Sequence, residues 1–333
     1  MNSSFYLGGK GPKTLLIGKS EIEEFLSMGE VLKAVEYSFK LKAQGKVIMP
    51  PKLYLNLPEY QGDFRAMPAY IDGSAGIKWV SVYPNNKKCP TVMATIILCD
   101  PKNGCPLAIM DGTYITAMRT GAAGGLAVKY LARRESSVIG MIGAGRQAET
   151  QLLAISEVLP KIKEVKVFDK QKGVSLRYVQ EMGAKLNINI RLAETIGGAA
   201  EADIVVTTTP SRKPIIKKEH IRSGTHINAI GADAKGKQEL EVDLLTAAKV
   251  IVDDIEQASH SGEINVPLSE GLIEVADIHG TLGEIVANMK KGRESAEDIT
   301  VFDSTGLAIL DIICAKLVYE KAAQHHNSPR VPA

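Results

Sequence analysis

The apolar stretch Val138-Ile139-Gly140-Met141-Ile142 runs straight into Gly143-Ala144-Gly145-Arg146-Gln147-Ala148, a strand followed by a G-x-G-x-x-A turn and a helix start. Residues of these types at this spacing can hold a dinucleotide. The first glycine lets the chain turn tightly, the second lets the backbone approach a pyrophosphate, and the small Ala148 lets the helix lie close on the strand. Free amides at the helix start face the phosphates, where the helix dipole favours negative charge. A second strand, Val165-Lys166-Val167-Phe168-Asp169, ends in an acid 21 residues past Ala148, near the spacing of ~20 expected for a carboxylate on the ribose 2′-hydroxyl. Asp169 repels a 2′-phosphate and so favours NAD over NADP, a preference that Lys170 and Lys172 soften.

Three more strand ends carry polar groups: Thr207-Thr208-Thr209-Pro210-Ser211, Asn228-Ala229-Ile230-Gly231-Ala232-Asp233 and Phe302-Asp303-Ser304-Thr305-Gly306. Each alone reads as an ordinary loop after a buried strand. In register with a dinucleotide turn, they surround one crevice. Lys78 stands among Gly76, Ile77, Trp79 and Val80. It either snorkels to solvent or is a desolvated amine, its pKa lowered enough to exchange protons near neutral pH. Asp233 either holds a turn or faces a substrate. Arg119 and Thr120 lie on a helix, where an arginine more often solvates a face than binds a ligand. His226, between strand apolars, reads as a core residue, and His220, His260 and His279 have no evident partner.

These residues need a scaffold, and the pattern of elements supplies one. Residues 14–47 read as helical, with capping-box spacing at Ser20-Glu21-Ile22-Glu23 and Ser27-Met28-Gly29-Glu30, then Val31, Val35 and Phe39 at helical intervals. From 49 to 110 the pattern is sheet, with Leu53, Leu55 and Leu57 alternating and a turn at Asp100-Pro101-Lys102-Asn103-Gly104 joining two strands. A helix from about Thr113 to Arg134 carries Ala117, Gly121, Gly124, Gly125 and Val128 on a face of small residues where another backbone can pack closely. Strands then alternate with helices at 138–142, 165–169, 204–208, 225–230, 250–253 and 299–303, which predicts an α/β fold with a Rossmann-type doubly wound parallel sheet. A last helix, Leu307 to Ala323, lies beyond that sheet.

Composition narrows the function classes. Forty basic and thirty-eight acidic residues in 333 give a net charge of +2 with no long run of either sign, which argues against nucleic acid or a membrane surface as partner. The start, Met1 to Lys13, lacks an apolar core, and no run of ~20 apolar residues occurs; a cytoplasmic protein is expected. Cys89, Cys99, Cys105 and Cys314 show neither metal-ligand spacing nor a disulfide framework.

The combination Arg65-Ala66-Met67-Pro68, Gly76-Ile77-Lys78-Trp79-Val80, Pro90-Thr91-Val92, Met118-Arg119-Thr120-Gly121-Ala122-Ala123, Gly143-Ala144-Gly145-Arg146-Gln147-Ala148, His226-Ile227-Asn228-Ala229-Ile230-Gly231-Ala232-Asp233, Gly236-Lys237-Gln238-Glu239-Leu240 and Phe302-Asp303-Ser304-Thr305-Gly306 resembles the ornithine cyclodeaminase/mu-crystallin family, and within it the archaeal-type alanine dehydrogenases. The resemblance runs from about residue 14 to 323. It implies a homodimer whose subunits join an α+β substrate-binding and dimerisation domain (1–118, completed by 307–333) to an NAD-binding Rossmann domain (119–306).

The same resemblance assigns roles. Lys78 and Asp233 become the acid–base pair, with Arg65, Lys52 and Thr305 around the substrate. Thr91, Arg119, Thr120, Gly143, Ala144, Gly145, Arg146, Gln147, Asp169, Lys170, Thr208, Thr209, Pro210, Ala229, Ile230, Gly231 and Ser304 line the cofactor, and no metal is implied. Ornithine cyclodeaminases carry a glutamate at the position of Arg65. An arginine repels a second ammonium but grips a carboxylate. The implied chemistry is NAD-dependent oxidative deamination of a small L-amino acid, L-alanine to pyruvate and ammonia first, through an imine. Reduction of a cyclic ketimine, ornithine-type cyclodeamination, or NAD(P)H binding without turnover are the alternatives.

Overall fold

The computed structural model describes residues 13–159, 161–324 and 329–332. In chain order the strands are β1 (Lys13–Ile17), β2 (Val47–Ile48), β3 (Leu53–Leu57), β4 (Gly62–Ile71), β5 (Ser74–Val82), β6 (Val92–Cys99), β7 (Pro106–Asp111), β8 (Val138–Ile142), β9 (Glu164–Phe168), β10 (Ile190–Leu192), β11 (Ile204–Thr207), β12 (His226–Ala229), β13 (Lys249–Val252), β14 (Gly280–Thr281), β15 (Thr300–Asp303) and β16 (Arg330–Pro332). They belong to two compact units. The first gathers the described residues up to Ser27, Lys46–Thr116 and the chain from Ala308 on; the second gathers Met28–Gly45 and Ala117–Leu307.

The first unit is a mixed sheet in the order β16-β1-β7-β6-β5-β4-β2, with β3 also paired to β4. β4 through β7 form an antiparallel meander, and β1 joins β7 in parallel. Alternation along β4 and β5 separates two faces. Arg65, Met67, Ala69 and Ile71 of β4 and Lys78 and Val80 of β5 are buried on the inner face. That face is covered by the helix Ala308–Gln324, whose Ile312 packs so near Gly76 that a Cβ there would fall 2.9 Å from the Ile312 methyl and 2.5 Å from the Ile97 carbonyl. The outer face keeps Trp79, Ile97 and Ile109 exposed.

The second unit is an all-parallel sheet in the order β10-β9-β8-β11-β12-β15-β13-β14. Its first five strands are wound 3-2-1-4-5, so the chain reverses direction across the sheet between β8 and β11, the place where ligands bind in such folds. Apolar clusters fill both faces, one around Ile139, Met141, Leu152 and Val165, the other around Val205, Ile227, Leu244 and Val301. The small-residue face of the helix Thr113–Leu131 meets the helix Arg146–Val158 backbone to backbone: a Cβ on Gly121 would lie 2.4 Å from the Thr150 carbonyl.

Three expectations change. Residues 13–17 are strand rather than helix, because Leu15 and Ile17 are buried by parallel pairing with Ala108 and Met110 of β7. The first helix accordingly starts after Gly18, whose amide donates to the Glu21 carboxylate at 3.0 Å, two residues before the capping box at Ser20. The helix Met28–Ala43, read as part of the N-terminal domain, packs its Val31, Val35 and Phe39 stripe in the second unit, where the Phe39 carbonyl lies 3.0 Å from the place a Cβ on Gly283 would take. The polar start, Met1 to Pro12, lies outside the described residues.

Candidate active site

In the first unit the β4–β5 register, with Arg65 opposite Val80 and Met67 opposite Lys78, sets Arg65 and Lys78 a diagonal apart on the buried face, roughly 7–8 Å between backbones. Both are cations, and both are held. Lys78 is 1 % exposed and its Nζ lies 2.7 Å from Asp311 Oδ2, itself fully buried, on the helix Ala308–Gln324. At this distance the two side chains form a buried ion pair, so the lysine does not snorkel to solvent. Arg65 is 4 % exposed and is gripped by Asp63, Nε to Oδ1 at 2.6 Å and Nη2 to Oδ2 at 3.2 Å. Its guanidinium lies 5.2 Å from the centre of the Tyr54 ring, so the fork is planar, oriented and nearly dehydrated. Lys52 is half-buried just before β3. Thr91, exposed, ends the loop that joins β5 to β6, where its carbonyl accepts from the Tyr83 amide at 2.8 Å.

In the second unit the glycine turn behaves as its sequence requires. Gly143 has φ of +94°, and a Cβ there would fall 2.6 Å from Thr208 Oγ1; a side chain is excluded on both counts. Gly145 caps the helix Arg146–Val158 and faces open space. Ala148 is fully buried. Asp169 reaches back across the turn and accepts from the Ala144 amide at 3.0 Å and the Gln171 amide at 2.8 Å. Arg146 is exposed and paired with Glu149 at 2.8 Å, and Lys170 is exposed. Beside the turn, Gln147 Oε1 and Thr208 Oγ1 are buried oxygens without a hydrogen-bond partner among the described residues. Unsatisfied polar atoms are costly in a core, and two of them next to a helix N-terminus suit a polar, phosphate-bearing ligand.

The strand-end loops are cross-tied by acids that the motif reading did not single out. Glu239 accepts from Thr207 Oγ1, Thr209 N, Thr209 Oγ1 and Gly231 N at 2.7 to 2.8 Å. Asp253 accepts from Thr305 N and Oγ1 at 2.8 Å and from Gly306 N at 2.7 Å. Thr305 therefore spends its hydroxyl on Asp253. The Ser304 amide donates to the Ala229 carbonyl at 3.0 Å, and Gly306, at φ +82°, leaves room for Arg119, whose Nη1 lies 2.5 Å from where a Cβ would stand. Arg119 and Thr120 are buried, so the helix arginine is no solvated face. Pro210 is exposed, while Ala229 and Ile230 are buried. Asp233 stays partly exposed and its Oδ1 lies 2.5 Å from Lys237 Nζ. Burial raises the Glu239 pKa against the pull of the Thr209, Thr207 and Gly231 donors. Burial and the Glu239 and Asp303 charges push Glu263 well above the carboxylate range. Asp253 carries the same signal as Asp169, an acid at a strand's carboxyl end. Glu239 was visible only as part of a motif.

Strand order, glycine turn and cross-tied loops define a Rossmann-type α/β protein carrying a second α+β unit. The family model described as the ornithine cyclodeaminase/mu-crystallin family matches residues 13–326, and the chain belongs to this family. It is 53 % identical to an alanine dehydrogenase of Archaeoglobus fulgidus over 96 % of this chain and 98 % of that protein. A solved archaeal alanine dehydrogenase dimer with bound NAD superposes with a TM-score of 0.93 at 51 % identity, covering 96 % of this chain and 99 % of that one. The Thermococcus litoralis Delta(1)-pyrroline-2-carboxylate reductase, in complex with NADH and L-proline, gives 0.93 at 43 % identity over 96 % and 100 %.

Proposed function

We propose that the protein is an NAD-dependent oxidoreductase that deaminates a small L-amino acid, L-alanine first, to its 2-oxo acid and ammonia, reversibly. The observation that carries this reading is the pair of held cations, Arg65 and Lys78, a diagonal apart on one buried sheet face. Two fixed positive charges suit one carboxylate. The 53 % identical alanine dehydrogenase and the NAD-bound neighbour support it. The first unit takes the substrate and the second the dinucleotide. The turn Gly143–Gln147 receives the pyrophosphate, with Arg119 and Thr120 as further phosphate donors. Asp169 and Lys170 meet the adenosine ribose. Thr208, Thr209, Pro210, Ala229, Ile230, Gly231, Ser304 and Thr91 border the nicotinamide half.

NAD, when bound, supplies the acceptor for the Cα hydride. Arg65 grips the substrate carboxylate, with Lys52 adding positive charge, and Lys78, held in place by Asp311, orients it. Asp233, an acceptor beside Lys237, takes the proton of the substrate ammonium before the hydride leaves. Water then adds to the imine carbon and loses one proton to solvent; Lys78 gives a proton to the departing nitrogen and takes one back from the hydroxyl as the carbonyl forms, and the ammonia released takes up the proton held by Asp233. Amino acid, NAD⁺ and water thus become 2-oxo acid, ammonium, NADH and a proton. Much of the rate gain comes from fixing the two reactants in this geometry.

Reduction of a cyclic 2-imino acid is the second reading, favoured by the neighbour that holds NADH and L-proline; the same cation pair would grip its carboxylate. NADH absorbance decides between the two. Turnover of pyruvate with ammonium, and of NAD with L-alanine, is the expected result. Turnover of a cyclic ketimine alone would select the second reading, and silence on all of them would refute both.

The homodimer is part of the proposal. The neighbour was solved as a dimer, and the outer face of the first unit exposes Trp79 at 42 %, Ile97 at 37 % and Ile109 at 36 %, with Phe64 stacked on Trp79. A contiguous apolar face of this kind marks a protein contact, here with a second copy of the chain. Among the described residues no helix is long and apolar enough to cross a membrane.

A further inference from the structure

Glu239 is fully buried, and all its polar groups are engaged. Its carbonyl accepts from the Ile215 and Ile216 amides at 2.7 and 2.9 Å, and its own amide donates to Glu263 at 2.7 Å. An ionised carboxylate offers about four acceptor positions. Glu239 fills four: Oε2 takes Thr207 Oγ1 at 2.7 Å and Gly231 N at 2.8 Å, and Oε1 takes the amide and hydroxyl of Thr209, each at 2.7 Å. Thr207 and Thr209 frame the end of β11, and Gly231 follows the end of β12. The two loops touch directly, since a Cβ on Gly231 would lie 2.1 Å from the Thr209 carbonyl and 2.6 Å from Glu239 Oε2.

Sheet order fixes which part of a ligand this tie would serve. With Asp169 beyond β9 on one side of the glycine turn, the adenosine end of a dinucleotide lies over β8 and β9. Its other half then crosses β11 and β12, the two strand ends that Glu239 joins. We infer that Glu239 is a positioning residue for the nicotinamide half of the cofactor, fixing the spacing of the Thr207–Pro210 and Ala229–Asp233 loops without touching the ligand. This rests on the dinucleotide reading above.

Glutamine at 239 keeps the shape but cannot replace the contacts. Its NH2 would face either the Thr209 or the Gly231 amide, leaving a buried donor against a donor. The test titrates NADH and ADP-ribose separately into wild type and Glu239→Gln. Wild type that binds neither would refute the dinucleotide reading itself. With that reading intact, the expected outcome is NADH binding weakened at least tenfold and ADP-ribose binding changed less than twofold, with Glu239→Asp recovering part of the NADH affinity. Equal loss of both ligands would reduce Glu239 to a general fold role and overturn the inference, as would unchanged NADH affinity. Should the glutamine variant not fold, Thr207→Val removes one of the four donors and leaves the acid in place. It should show a smaller loss, two- to fivefold, again confined to NADH, and no selective loss would count against the inference.

Discussion

Lys78 and Asp311 are a buried charge pair, 2.7 Å apart and nearly without solvent. Such a pair adds little net stability over apolar replacements, but removing one partner strands the other and costs about 3–5 kcal/mol. Asp311→Asn should therefore lower the unfolding free energy by that order, read in a urea titration, and cut deamination turnover at least tenfold. Lys78→Met combined with Asp311→Leu should recover most of the stability and none of the activity. Full stability in Asp311→Asn would show that the pair is not the charge balance of this core. The lysine could be read from the chain, since a cation inside an apolar strand is conspicuous by type, whereas Arg65 was reached through the family resemblance. Their partners could not. Asp63 sits two residues from Arg65 and shares its strand face, a relation that appears only once β4 is known to be a strand. Asp311 arrives from the far end of the chain, and no local pattern links it to Lys78.

Element by element, the parallel sheet was readable because each buried strand is a short apolar run between turn signals. β1 was not, since the three apolar residues Leu15-Leu16-Ile17 next to a strong helix pattern do not reveal their own period. β10 and β14, three and two residues long, are defined by pairing rather than by composition. The interior of β12 shows what pairing adds. Asn228 donates its amide to the Gly124 carbonyl and to Gln151 Oε1 at 3.0 and 3.2 Å, so its Oδ1 faces His226 Nε2 at 2.9 Å and that nitrogen carries the proton. Nδ1 meets the Thr300 hydroxyl at 2.9 Å, and Gln151 donates onward to the Thr120 carbonyl at 2.9 Å. The chain of bonds ties β12 and β15 to the two helices that pack on them, and it needs a neutral imidazole. Burial, with the Arg293 charge, holds the His226 pKa down from 6.5 to about 3, against the pull of Asn228 and Thr300. The unfolded chain binds this proton first, so the contribution is present above pH 6.5 and is lost as pH falls toward 3. The slope per proton is at most about 1.4 kcal/mol per pH unit. Urea unfolding at a series of pH values should give a steeper acid-side decline for wild type than for His226→Gln. Parallel curves would mean that His226 is not buried neutral.

For the whole molecule, the proposed dimer would follow from the apolar outer face of the first unit. Trp79→Glu would place a carboxylate in the middle of that face without disturbing the inner one. Light scattering should then report a monomer where wild type is a dimer, and a dimer of unchanged tightness would place the interface elsewhere. The composition, nearly neutral and free of charge runs, indicated only what such a face would not bind; which apolar residues point outward depended on the strand register.

The first unit is assembled from both ends of the chain, with nearly the whole second unit threaded between its parts. Lys316 on the last helix bonds to Asp72, 244 positions earlier, and Lys321 bonds to the Phe25 carbonyl, 296 positions earlier. During translation, then, the strand bearing Lys78 leaves the ribosome long before the helix bearing Asp311 exists. Until that helix is made, the nascent sheet has an uncovered inner face and an ammonium without its counter-charge, while the intervening segment already has most of its own core. Ribosome stalling or premature termination before Ala308 would leave a well-folded middle flanked by an exposed apolar sheet, a form for chaperones and proteases to recognise and not a partly working enzyme.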